Sequence, residues 1–236
     1  MAINKTLKVI LVEPAGPINV GSVARLCENF SVHELRLVSP KCDYLAQEAK
    51  KMAVRGLKIL EKAKVYEDLN SALSDCSRII ATCGRKEHGE IPLNSNKDAL
   101  SWVLKSEREE TIALVFGRED RGLSNEELLK ANKVISLNTN EDYPSLNLSH
   151  AVAIVLHQLN ELNQLGFPKK DKERNTPANL ARLEDCINDA GSLLLDIGFL
   201  MKHTYNPNKT VSRRRIPLRL APAEGSTQIL TKTRSF

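Results

Sequence analysis

Aromatic residues make up only 4% of this 236-residue chain, with a single tryptophan. Long apolar runs are missing as well: none approaches the roughly 20 residues that span a bilayer. The opening stretch MAINKTLKVILVEP meets an acid and a proline after too few apolar positions for a secretory leader or an anchor. No membrane partner is therefore expected. Five cysteines stand at scattered positions with no CxxC pair, which argues against both a disulfide framework and a zinc ribbon and for reduced thiols in a cytoplasmic protein. The five histidines form no HExxH or other ligand spacing, and no metal is expected. His150 and His157, seven apart, read as core or dimer-interface packing. A GxGxxG dinucleotide fingerprint is also absent.

What is present is ordinary globular composition, 42% hydrophobic and 27% charged, with a net charge of +5 that is unevenly placed. From Phe167 onward thirteen basic residues face seven acidic ones, so that stretch carries +6 and residues 1–166 carry −1. Over residues 7–165, short β-branched or leucine-rich runs alternate with longer helical patterns. That alternation predicts an α/β domain with a mainly parallel sheet and helices on both faces. Strands are expected at Leu7–Val12, Glu34–Val38, Lys64–Tyr66, Arg78–Thr82, Thr111–Phe116 and Lys133–Leu137. Helices are expected at Asn19–Phe30, Tyr44–Leu60, Leu69–Cys76, Asp98–Lys105, Asn125–Ala131 and Leu148–Leu165. Ser124 and Glu127 form a capping-box pair. The charge run KKDKERNT separates residues 1–166 from a small helical, basic extension at 167–236. Its helix is expected from Pro177 to about His203, burying Leu180, Leu183, Ile187, Leu194 and Ile197. Trp102 reads as packing within its short helix.

In parallel α/β sheets ligands gather beyond the carboxyl ends of the strands. Four loops there are unusual: EPAGPINVGSVAR (13–25), ATCGRKEHGE (81–90), FGREDRGLS (116–124) and NTNEDYPSLNLSHA (138–151). The first has Gly16 and Gly21 at P-loop spacing, but Ser22 stands where the phosphate-binding lysine must be, which argues against a nucleoside triphosphatase. The fourth offers free backbone N–H groups and small polar side chains at a helix entry.

Together EPAGPINVGSVAR, LVFGREDRGLSNEEL and ISLNTNEDYPSLNLSHAVAIVLHQL resemble, in order and spacing, the three signature motifs of the SPOUT superfamily of S-adenosylmethionine-dependent RNA methyltransferases of the SpoU/TrmH type. Within it the chain is most similar to the tRNA (cytidine/uridine-2'-O-)methyltransferase branch acting on the anticodon loop. The resemblance implies a fold whose C-terminal part is threaded into a deep trefoil knot, an exception to the rule that chains do not knot. It implies S-adenosylmethionine bound among the knot loops, tRNA as substrate, and a homodimer in which two subunits complete each active site. It further implies catalytic roles for Asn19, Arg25, Glu119, Ser145 and Asn147. Donor binding falls to Thr82, Cys83, Gly84, Gly117, Leu137, Pro144, Ser145 and Leu146. At 82–84 this chain reads Thr-Cys-Gly where relatives read Thr-Ser-Ala or similar.

Each of these residues has a plainer reading beside the functional one. Arg25 suits a surface salt bridge, Glu119 a turn with a surface acid, and Ser145 and Asn147 simple N-caps. A ribose 2'-hydroxyl is a poor nucleophile whose proton must leave as it attacks a methyl. Arginine is an awkward base, with a pKa above about 12. Arg25 is therefore expected to position ribose or phosphate and stabilise negative charge. RNA contacts are expected from Arg25, Arg85, Lys209, Arg213, Arg214, Arg215 and Arg219. The same basic tail could also be merely solvated. With few aromatic side chains for stacking, recognition of backbone and shape is expected over recognition of bases. Two alternatives stay open: a ribosomal RNA 2'-O-methyltransferase of the same superfamily, and a catalytically silent RNA-binding protein of the same fold.

Overall fold

The computed structural model describes residues 6–84, 91–105, 110–137, 139–140, 142–143, 145–165 and 178–197. Six parallel strands form one sheet: β1 (Thr6–Val12), β2 (Glu34–Val38), β3 (Lys64–Tyr66), β4 (Arg78–Thr82), β5 (Thr111–Phe116) and β6 (Lys133–Ile135), in the order β3-β2-β1-β5-β4-β6. The strand pattern agrees with the sequence except at its end, where β6 stops at Ile135 and Leu137 lies in the loop beyond. β1 shows why the middle of the sheet reads as unbroken apolar runs. Leu7, Val9 and Leu11 enter one core while Ile10 and Val12 enter the other, so both faces are covered.

One face carries α1 (Pro17–Asn29), α2 (Gln47–Ala53), α3 (Leu57–Glu61), α5 (Asn96–Leu104) and α7 (Leu148–Gln164). The other carries α4 (Leu69–Leu73) and α6 (Asn125–Leu129), joined by Leu180 at the start of α8 (Leu180–Asp196). Chain order runs outward from β1 to β3, then returns to place β5 beside β1. That reversal puts the loops after β1 and β5 next to each other, the usual place for a ligand in such a sheet.

Local structure departs from the expected helices in two places. The segment 44–60 is not one helix: α2 ends at Ala53, Val54 takes a φ of +49°, and a single 3₁₀ turn over Val54–Gly56 leads into α3. α8 begins at Leu180 rather than Pro177, capped by the Asn179 side chain accepting from the Arg182 amide at 3.0 Å, and ends at Asp196. Leu180 and Ile187 are buried as expected, but Leu183 and Leu194 are half-buried and Ile197 is 65% exposed. The Leu180 and Ala181 amides donate to the carbonyls of Cys76 and Ser74 at 3.0 and 3.3 Å, so it is the first turn of α8 that is tied to the end of α4.

Gly21 has a packing role rather than the phosphate-loop one its spacing resembles. A Cβ on it would lie 2.2 Å from the Ala49 carbonyl oxygen, so α1 and α2 meet backbone to backbone there. None of the five cysteines forms a disulfide, and burial pushes the Cys27 and Cys76 thiols up to about 12. His150 and His157 are exposed rather than in the core, with His157 Nδ1 3.4 Å from Glu161. Trp102 is half-buried, and its ring lies under the Arg78 guanidinium at 4.6 Å. No described helix is long and apolar enough to cross a membrane, and no group of three or more potential metal ligands occurs among the described residues.

Candidate active site

The loop after β1 begins at Glu13, whose φ of +46° turns the chain sharply out of the sheet. Gly16 precedes α1 and Pro17 occupies its first turn, where the missing amide costs nothing. No side chain of this segment caps the helix. Its entry is held from 104 residues away instead. The Glu119 carboxylate accepts from the amides of Ala15, at 3.1 and 3.3 Å, and Gly16, at 3.1 Å, and from Asn19 Nδ2 at 3.0 Å. A carboxylate suits this place, because the start of a helix presents unsatisfied N–H groups and a positive dipole end.

Asn19 passes the link onward. Its Oδ1 accepts from Asn147 Nδ2 at 3.0 Å, and Asn147 Oδ1 in turn caps α7 through the Ser149 amide, at 2.9 Å, and the Ser149 hydroxyl, at 2.7 Å. The chain Glu119–Asn19–Asn147 thus joins the loop after β5, the start of α1 and the start of α7. Asn147 serves as cap and as link through different atoms of one amide.

Beside this chain lies a cavity of about 200 Å³. Thr82, Cys83, Gly84, Gly117, Glu119, Leu137, Ser145 and Leu146 all line it, each singled out in the sequence, together with Phe116, Leu148 and Ala151, which were not. Thr82 Oγ1 donates to the Val115 carbonyl at 3.2 Å and the Cys83 amide to Ile135 at 2.8 Å, which fixes the loop after β4 to both neighbouring strands. Gly117 opens a tight turn closed by Gly122, whose φ is +67°; a Cβ at 117 would sit 2.2 Å from the Gly122 carbonyl carbon. Only glycine allows the turn to fold back this closely.

Arg25 is not in this wall. It is exposed on α1, and no hydrogen bond or ion pair reaches its side chain among the described residues, so the surface salt bridge is not found there either. Pro144, Arg85, Lys209, Arg213, Arg214, Arg215 and Arg219 lie outside the described residues.

Arg118, also in the cavity wall, centres a cluster that the sequence pattern did not single out. Arg118 Nε donates to Glu13 at 2.7 Å, while its two terminal nitrogens donate to Glu127 at 2.9 and 3.0 Å and to the Gly122 carbonyl at 3.3 Å. The hydrogen bond from Arg118 holds the Glu13 carboxyl below its usual range. Burial raises that of Glu127, but hydrogen bonds from Arg118 and Ser124 outweigh it and the net shift is downward. Glu127 also completes the expected capping box with Ser124. The partners of Arg118 stand 105 and 9 residues away, and only the Ser124–Glu127 part leaves a local sequence pattern.

A model of the SpoU rRNA methylase family matches residues 6–157. The tRNA (cytidine-2'-O-)-methyltransferase TrmJ of Methanocaldococcus jannaschii is 38% identical over 180 residues, covering 71% of this chain and 76% of that protein. The tRNA (cytidine/uridine/adenosine-2'-O-)-methyltransferase TrmJ of Pseudomonas aeruginosa is 31% identical over 220 residues, covering 89% and 84%. Among solved structures, TrmJ from Zymomonas mobilis superposes with a TM-score of 0.69 at 27% identity, covering 83% of each chain. The parallel sheet, the motifs gathered at its carboxyl edge and these likenesses agree: the chain belongs to the SpoU methylase family.

Proposed function

We propose that the protein transfers a methyl group from S-adenosylmethionine to a ribose 2'-oxygen in the anticodon loop of tRNA, at cytidine or uridine. The observation that carries this reading is the convergence of Asn19, Glu119 and Asn147, one from each motif, beside a cavity walled by the loops after β4, β5 and β6. Relatives named as tRNA 2'-O-methyltransferases differ in the bases their names specify, while the 2'-oxygen is common to them. Recognition built on ribose and backbone is consistent with that.

The cavity suits a nucleoside-like donor in its chemistry. Leu137, Leu146, Leu148 and Ala151 offer an apolar side for a base, and Thr82 and Ser145 offer polar atoms beside it. S-adenosylmethionine, when bound, supplies an electrophilic methyl on a sulfonium. Glu119 has its oxygens committed to α1, which makes it a positioning residue that holds Asn19 and the helix start in place. Asn147 and Ser145 set the entry of α7 beside the cavity.

Arg25, exposed and without a side-chain partner among the described residues, is the group for ribose or phosphate, where it stabilises charge as the 2'-hydroxyl loses its proton. Because it lies outside its own subunit's cavity wall, it acts in a homodimer, in which each subunit brings Arg25 to the other's site. We infer the trefoil knot expected of the family in the chain after β6, where α7 packs on the α1 side of the sheet. We place the domain boundary near residue 167. α8 has one basic residue against four acidic ones, so the basic excess of the last stretch belongs to its other segments, with Lys209, Arg213, Arg214, Arg215 and Arg219 for RNA. The setting is cytoplasmic, where tRNA is.

Parallel incubations of the full chain with labelled S-adenosylmethionine and either tRNA or ribosomal RNA lacking 2'-O-methyl groups, followed by nucleoside mapping, test this. Label is expected in 2'-O-methylcytidine or 2'-O-methyluridine of the anticodon loop. Label in ribosomal RNA alone would transfer the assignment to that substrate, and label in neither would leave a silent RNA-binding protein.

A further inference from the structure

Consecutive residues in the turn after β5 brace the loop after β1 at two points. Glu119 holds Ala15, Gly16 and Asn19; Arg118 holds Glu13, where the backbone is strained. Arg118 also reaches α6 through Glu127 and the far end of its own turn through the Gly122 carbonyl. Every side-chain nitrogen of Arg118 is committed to the protein. The side chains of Arg118, Glu13 and Glu127 are 13%, 23% and 15% exposed, so water competes little for these bonds. The turn they fix, 117–122, is one wall of the cavity.

We propose that Arg118 is a positioning residue for donor binding: pinned between Glu13 and Glu127, it sets the shape of the 117–122 wall and so governs donor affinity, leaving the methyl-transfer step to other groups. This rests on the cavity being the donor site. A planar guanidinium can serve Glu13, Glu127 and Gly122 at once, whereas a lysine ammonium in its place keeps the charge and loses the fork.

The test uses the full-length protein and its R118K, E13Q and E127Q variants, with S-adenosylmethionine binding measured by calorimetry, turnover on tRNA at saturating donor, and thermal melting. R118K is expected to raise the donor Kd on the order of tenfold, as befits loss of one charge-assisted hydrogen bond at the wall. Its kcat at saturating donor should stay within about twofold, and tRNA KM should not move. E13Q should shift Kd in the same direction by less, and R118K/E13Q should bind no worse than R118K, because both act through one contact. A part that is only structural would lower the melting temperature and leave the Kd of the folded protein unchanged. That result, or a loss confined to kcat, overturns the proposal. If R118K does not fold, the Kd of E13Q and E127Q decides by the same criterion. Wild-type protein that fails to bind the donor removes the reading of the cavity and this proposal with it; wild-type binding matched by R118K removes this proposal alone.

Discussion

Both ends of the sheet are rich in charge, and they use it in opposite ways. At the amino-terminal edge Lys8, Arg36, Arg78 and Glu110 are all at most 3% exposed, and each is met by an opposite charge. Arg78 pairs with Glu110, donates to the Trp102 carbonyl at 2.6 Å and stacks on its ring. Asp75 receives Lys8 at 2.5 Å and Arg36 at 2.7 and 2.9 Å. At the carboxyl edge the polar groups are half-exposed and organised around a cavity, while farther along α1 the exposed Arg25 has no side-chain partner among the described residues. Buried charge with every partner present describes a foundation. Half-exposed charge beside a space describes a site.

The sharpest way to break this contrast is Arg78→Met. Removing one member of a buried pair leaves the other unpaired, which costs about 3–5 kcal/mol. Urea unfolding should show that loss, while the donor Kd of the folded fraction stays at the wild-type value. A variant equally stable but weak in donor binding would erase the division between the two ends. Arg25→Ala makes the converse case: kcat on tRNA should fall on the order of 10²-fold or more, with unfolding free energy and donor Kd unchanged. Turnover at the wild-type rate with normal tRNA binding would remove Arg25 from the reaction.

How much of this contrast could be read in the sequence depends on the distance over which each feature is determined. The six strands were legible because each carries apolar residues on both faces, a local signal. The capping box at Ser124 and Glu127 was legible for the same reason. The break at Val54 was not: the pattern over 44–60 reads as one helix, and it gives way where the chain runs backbone to backbone with α1, as the contact between Gly56 and Ala24 shows. Of the candidate site, the motifs singled out Asn19, Glu119 and Asn147 but not how they connect, because the partners lie 100 and 128 positions apart. Arg118 escaped altogether, since its partner Glu13 reads locally only as the first residue of a loop. Burial of α8 was overestimated for a related reason. Its periodicity describes an amphipathic helix correctly, but only its first turn is tied to α4, and Ile197 stays exposed.

The smallest expected effect separates charge from packing at the amino end. Burial raises the Asp75 carboxyl, but hydrogen bonds from Arg36 and Lys8 outweigh it, and the net shift is well below the usual carboxylate range. Glu34 is likewise lowered, with Arg36 and Lys64 overcoming its burial. A carboxylate whose folded pKa is depressed contributes stability above its unfolded value of about 4, and that contribution drains away as pH falls through the folded value. Unfolding free energy should therefore be nearly flat from about pH 5 upward as far as these groups are concerned, and decline below about pH 4. Asp75→Asn should be less stable than wild type at pH 7 and converge on it in acid, because the wild type then loses the same charge. Asp75 is half-exposed, so solvent keeps the gap modest. A gap that stayed constant from pH 7 down to pH 2 would mean that Asp75 acts through packing and neutral hydrogen bonding, and the charge-paired description of the amino end would have to rest on Arg78 and Glu110 alone.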